Sequence, residues 1–190
     1  LNKQCGLLEP GAVMTHITIA EIPSFNRMLM FSDAAVLPQP TLEQFHAIVS
    51  ECATACRRLG IKQPRIALTN CAEKVNPKFE HTISYVEIMR RASEGAYGNA
   101  LVGGPMDVKT ALDSESGSIK GIASPVVGCA DVLVFPNIQA GNTFYKTLTF
   151  FAGATVAGLI VGTSAPIVVA SRADSDESKY YSLLMACRII

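Results

Sequence analysis

The stretch VLVFPNIQAGNTFYKTLTFFAG, residues 132–153, decides how the rest of the chain is read. It opens with four apolar residues, 132–135, and then breaks at Pro136. A short apolar run closed by a turn residue reads as a strand, and a run with no polar alternation reads as a strand covered on both faces. The polar side chains that follow, Asn137, Gln139, Asn142 and Lys146, have no packing value at such a place. In open α/β sheets, ligands sit beyond the carboxyl ends of the strands. The segment therefore predicts a strand ending at Pro136 and Asn137, and a helix that Gly141 and Asn142 start. The free N–H groups and dipole of that helix start suit a phosphate, and Lys146 could supply a cation. The competing reading makes Asn142 a plain N-cap and Lys146 a solvated charge.

Working outward, similar runs predict strands at 17–20, 28–31, 65–69, 100–103, 156–161 and 167–170. Between them lie helical patterns. Thr41 and Gln44 form a capping box behind Pro40, and Leu42, Phe45, Val49, Cys52, Cys56 and Leu59 make one apolar stripe that Gly60 stops. A second helix is predicted over 79–94, with Ile83, Val86 and Met89 inward. A last one starts near Asp174 and Ser175, with Asp176 and Glu177 in its first turn, where the dipole favours acids. Residues 112–124 read as a loop. Strand–helix–strand order of this kind predicts an α/β fold with a mainly parallel sheet.

Composition narrows the function classes. The 190 residues are 49% hydrophobic, and sixteen basic residues balance sixteen acidic ones, which leaves no electrostatic footprint for nucleic acid. Six cysteines without C-x-x-C spacing read as reduced thiols, with Cys52 and Cys56 on a buried helix face. Residues 147–171 carry no charge, yet Gly153, Gly158, Gly162 and Pro166 divide them into pieces too short to span a membrane. The three histidines lie far apart without metal-ligand spacing, and no metal site is expected. The chain opens on Leu1 rather than Met, which suggests a trimmed start.

Three strand ends stand out. GGPMD at 103–107 permits close backbone approach at Gly104, with Pro105 read as opening a helix. The second is the 136–146 segment. The third is SRADSDES at 171–178, where Arg172 directly follows a predicted strand and suits bidentate binding of phosphate or carboxylate, unless it pairs with Asp174 or Asp176 for structure.

Taken together, PN-x-x-AGN-x-x-YK, SRADS, IPSFNRMLMFSDAAV and GGPMD resemble the phosphate acetyl/butyryltransferase family from about His16 onward, the butyryl branch in particular. The resemblance implies a three-layer αβα, isocitrate/isopropylmalate dehydrogenase-like fold. It implies a reversible reaction of acyl-CoA with phosphate to give acyl phosphate and CoA, with both as substrates and no tightly bound cofactor. It also implies a cytoplasmic homodimer. Residues 1–24 would be a remnant of a first domain, 25–170 the second domain, and 171–190 a helix returning to the first. Family members are longer, so the 190 residues alone are expected to turn over little. Carried over by motif, Ser171 lies near the thiol and Arg172 holds phosphoryl oxygens, with Asp174 and Asp176 as candidate bases. The acetyl branch has a carboxylate seven residues after the serine, whereas this chain has Ser178 there. Gly104, Pro105, Asn137, Gly141, Asn142, Lys146 and Ser175 are the expected substrate-binding residues. Two other readings stay open: a non-catalytic CoA/phosphate-binding or dimerisation domain, and a metal-dependent hydroxy-acid dehydrogenase of the same fold.

Overall fold

A computed structural model describes residues 6–172 and 174–189. Six strands form one sheet: β1 (Thr15–Glu21), β2 (Leu29–Ser32), β3 (Arg65–Thr69), β4 (Leu101–Met106), β5 (Val132–Val134) and β6 (Thr155–Val161). Their order across the sheet is β4-β3-β5-β2-β1-β6. Strands β2 to β5 are parallel to one another, while β1 is antiparallel to both of its neighbours. The first residues of β1 therefore lie at the carboxyl ends of the other strands.

The helices are α1 (Leu42–Arg58), α2 (Glu80–Ser93), α3 (Val108–Leu112), α4 (Ser114–Lys120), α5 (Ile138–Phe151) and α6 (Asp176–Ile189). Two hydrophobic cores, one on each face of the sheet, give the three layers. On one face Ile17, Met30, Ile66, Leu68 and Leu159 meet Phe45, Ile48 and Val49 of α1, Tyr85 and Ile88 of α2, and Met185 and Ile189 of α6. On the other, Ala20, Phe31, Leu133 and Val156 meet Tyr145 and Leu148 of α5 and Ala111 of α3.

Helix α1 forms as its sequence dictates. Thr41 caps it and shares a reciprocal pair of hydrogen bonds with Gln44. Four other expectations are corrected. Helix α5 starts at Ile138, four residues before Asn142, because the Asn137 side chain accepts from Ala140 N at 2.9 Å and is the true N-cap. Pro105 does not open a helix: β4 runs on through it to Met106, and Asp107 caps α3. Residues 112–124 are largely helical, with Asp113 accepting from Glu115 N and Ser116 N to start α4. Residues 167–170 are not a strand; only Ile167 bridges to Ile160 along the outer edge of β6.

Helix α2 has the expected span, and Met89 packs against the core as expected, but the inward face is otherwise a different one. Thr82, Tyr85 and Ile88 are buried, whereas Ile83 and Val86 are about half exposed. The polar tips find backbone partners: Tyr85 OH donates to Thr69 O, and Thr82 Oγ1 donates to Phe79 O. Burial of a hydroxyl is inexpensive once it is hydrogen-bonded. No helix among the described residues is long and apolar enough to cross a membrane.

Candidate active site

The carboxyl end of β2 is followed by a buried carboxylate, Asp33. Its Oδ1 accepts from Ala35 N at 2.7 Å and Val36 N at 2.8 Å, and its Oδ2 accepts from Thr15 Oγ1 at 2.9 Å and His16 N at 3.0 Å. One side chain thus fixes the start of β1 to the loop after β2. Helix α5 closes on this loop at Gly141, where a Cβ would stand 2.1 Å from Asp33 O. Only glycine permits that approach. Asn142 Nδ2 then donates to Ala34 O at 3.1 Å.

The third wall is the turn before α6. Asp174 Oδ2 accepts from Ser171 N at 2.7 Å, and Asp174 Oδ1 accepts from Tyr145 OH at 2.9 Å. Burial first, and Asp174 second, push the Tyr145 phenol well above its ordinary range, so it stays a neutral donor. Lys146 Nζ lies 4.7 Å from the Tyr145 ring centroid.

These walls enclose a cavity of about 270 Å³ lined by His16, Ala34, Ala35, Asn142, Tyr145, Lys146, Val156, Gly158, Val169, Ala170, Ser171, Asp174 and Ser182. A second hollow of about 500 Å³ shares Lys146, Val156 and Asp174 with it and adds Ser175 and Ser178. Ligand pockets run from roughly 300 to 1,000 Å³, so the first is at the small end of that range and the two together lie within it. The Lys146 cation on one wall suits an anionic ligand.

The structure brings Asn142, Lys146, Ser171 and Asp174 together in the first cavity and Ser175 into the second. Asn137 and Gly141 support the wall from behind, as N-cap and as close-packed backbone. Arg172 is exposed on the turn and does not line the cavity. Asp176 is fully exposed and pairs with Lys179, so it faces away. Gly104 and Pro105 lie on β4, with β3, β5, β2 and β1 between them and β6. A Cβ at Gly104 would stand 2.6 Å from Leu68 O, so this glycine serves the packing of β4 on β3. Of the three segments expected to converge, two meet at the cavity, the Asn142–Lys146 part of α5 and the turn holding Ser171 and Asp174, and the latter does not follow a strand. No group of three His, Cys, Asp or Glu among the described residues is placed to hold a metal ion.

Residues 3–187 match the family described as Phosphate acetyl/butaryl transferase. The chain belongs to the phosphate acetyl/butyryltransferase family. It is 37% identical over 186 residues to a phosphate acetyltransferase of Thermotoga maritima, covering 98% of this chain and 63% of that protein. It is 35% identical over 189 residues to a phosphate butyryltransferase of Clostridium acetobutylicum, covering 100% of this chain and 62% of that one. A branched-chain phosphotransacylase from Enterococcus faecalis superposes with a TM-score of 0.89 at 34% identity, over 100% of this chain and 67% of the other. A 4-hydroxythreonine-4-phosphate dehydrogenase from Salmonella typhimurium, at 12% identity and a TM-score of 0.56 over 92% of this chain and 54% of that one, shares the fold alone. The αβα fold is thus the dehydrogenase-like one. The chain spans a little under two thirds of the length of these two curated relatives.

Three residues at or behind this family member's cavity, His16, Asp33 and Tyr145, are not among the site residues expected from the sequence. His16 was set aside for lack of metal spacing, although it opens a strand of reversed sense and so stands at the ligand end. Asp33 carried a legible signal, an acid directly after a buried run. Tyr145 was placed on the right helix, but its bond to Asp174 spans 29 positions and leaves no local trace.

Proposed function

We propose that the protein carrying this chain is a phosphate acyltransferase that interconverts acyl-CoA and phosphate with acyl phosphate and CoA. The observation that supports it most directly is the junction of the Asn142–Lys146 turn of α5 with the Ser171–Asp174 turn around one cavity, in a member of this family. Butyryl and acetyl groups both fit the reading, since relatives of each name are 35% and 37% identical to the chain.

In this proposal the thiol of CoA attacks the carbonyl carbon of the acyl phosphate from the Ser171 side. Lys146 and the donors around it offset charge on the phosphoryl group. Arg172 swings from its exposed turn to clamp phosphoryl oxygens when substrate arrives. Positioning and charge stabilisation carry most of the acceleration in such transfers. Asn137, Gly141 and Ser175 hold the walls, and Gly104 and Pro105 stay candidates for a more distant part of the CoA. Coenzyme A and phosphate act as substrates, in a cytoplasmic homodimer.

The division at residues 24 and 170 belongs to the same proposal, with 171–190 as the segment that joins a first domain. Outward-facing Tyr180 and Leu183, each 58% exposed, suit such a junction. So does the expectation that the 190 residues alone turn over little.

The test is phosphate-dependent release of free thiol from butyryl-CoA and acetyl-CoA by the protein carrying this chain. Arg172→Ala should cost about 3–4 kcal/mol of transition-state stabilisation, as loss of other oxyanion donors does. Binding of CoA without any thiol release would favour the non-catalytic reading instead.

A further inference from the structure

We infer that His16 is the proton acceptor for the CoA thiol in this site: its imidazole lines the cavity, Thr18 holds one ring nitrogen, and of the two carboxylates that the sequence offered for the task, Asp174 already accepts a hydrogen bond at each oxygen and Asp176 faces solvent. The inference rests on the acyltransferase reading above.

A thiol with a pKa near ~8.5 is mostly protonated at neutral pH, so the attack needs an acceptor. Both oxygens of Asp174 are taken, one by Tyr145 OH and one by Ser171 N. Asp176 points to solvent. Ser178 replaces the acetyl branch's acid, and its backbone N–H donates to Ser175 Oγ. Among the groups lining the cavity, Lys146 is a cation and Tyr145 is held protonated, so only the His16 imidazole is a neutral base.

The ring is placed for this work. His16 is 7% exposed, and its backbone N–H is fixed by Asp33. Thr18, two residues along β1 and on the same face, stands 3.3 Å from Nδ1. In the tautomer required, Nδ1–H donates to Thr18 Oγ1 and the Nε2 lone pair is left for the substrate. No hydrogen bond among the described residues engages Nε2. Gly158 makes the room: a Cβ there would stand 2.8 Å from Nε2.

The charged and titratable groups around the ring among the described residues are Asp33 after β2, Asp174 before α6, and Tyr145 and Lys146 on α5; β6 and α6 present Val156, Gly158 and Ser182, none of them charged. Burial, the largest influence, lowers the imidazole's affinity for protons, and Asp33 and Asp174 partly oppose it. The ring is therefore neutral at pH 7 and able to accept. In the transfer, the thiol proton passes to Nε2 as the S–C bond forms and the C–O bond to phosphate breaks. The proton is then handed to the departing phosphate, which leaves as hydrogen phosphate, and the imidazole returns to its neutral state.

The experiment is a pH–rate profile of thiol consumption with butyryl phosphate and CoA, run on the wild-type protein, His16→Gln, His16→Ala and Thr18→Val. The wild type should lose rate as pH falls below the ordinary histidine value. His16→Gln should lower kcat about a hundredfold or more with KM little changed and no such acid limb. Added imidazole should restore part of the His16→Ala rate. Thr18→Val, nearly isosteric, should fold and shift the acid limb, which keeps the claim open to refutation should the His16 variants not fold. Retention of the wild-type profile in His16→Gln, or an unshifted limb in Thr18→Val, overturns the role of His16 alone. A wild-type protein with no turnover overturns the acyltransferase reading and this inference with it.

Discussion

Asp33 concentrates more structural consequence than any other single side chain near the cavity. Four donors from two segments, the start of β1 and the loop after β2, converge on its carboxylate. Asp33→Asn turns one acceptor oxygen into a donor facing donors, and breaking a buried, hydrogen-bonded charge costs about 3 kcal/mol or more. Urea unfolding should show that loss, with thiol transfer weakened in the same variant. His16 adds a pH effect. Its folded-state affinity for protons is lowered, so as pH falls past 6.5 the unfolded chain gains a proton that the folded chain refuses. The stability is present above that value and is lost as pH falls toward the lowered one. Melting temperature should therefore drop between about pH 7 and pH 5, and His16→Gln should flatten part of the drop. An equal slope in both proteins would place the titration elsewhere.

Elements were legible where local chemistry decided them. Helix α1 carries its cap, its stripe and its stop within 20 residues, and all three hold except that Leu59, at the end of the stripe, is exposed. Its two cysteines follow: Cys52 and Cys56 are fully buried, and burial pushes the Cys56 thiol up to about 12. A thiol reagent on the native protein should label Cys71 and Cys187, which are exposed, and leave Cys52 and Cys56 until denaturant is added. Mass mapping of the labelled peptides checks this. Other elements were set by distant partners. The inward face of α2 depends on Thr69 O, sixteen positions before the end of the Tyr85 side chain that finds it. Residues 167–170 have strand composition, but they run outside the last strand, where α6 already takes Gly158 N through Ser182 Oγ. Helix α5 begins early because Asn137 competes with Asn142 for the cap, and only the path of the chain beyond β5 chooses between them.

At the scale of the molecule, strand order is what separates the two halves of the expected site. Apolar runs gave each strand's place in the sequence and the layering. They carry no information on which strands are neighbours, so β4, with Gly104 and Pro105 in it, could not be told apart from β2 or β6 as a wall of the cavity. The reversed strand β1 was hidden in the same way, and with it the residue at its ligand end. The central claim is that acyl transfer takes place in the cavity between α5 and the turn before α6. Ala170 lines it without belonging to either buried core. The most direct measurement is phosphate-dependent thiol release from butyryl-CoA by Ala170→Phe, with its melting temperature. A ring filling the cavity should displace the reacting groups and cut the rate by about a hundredfold or more, with melting unchanged. Wild-type turnover in that variant would contradict the account.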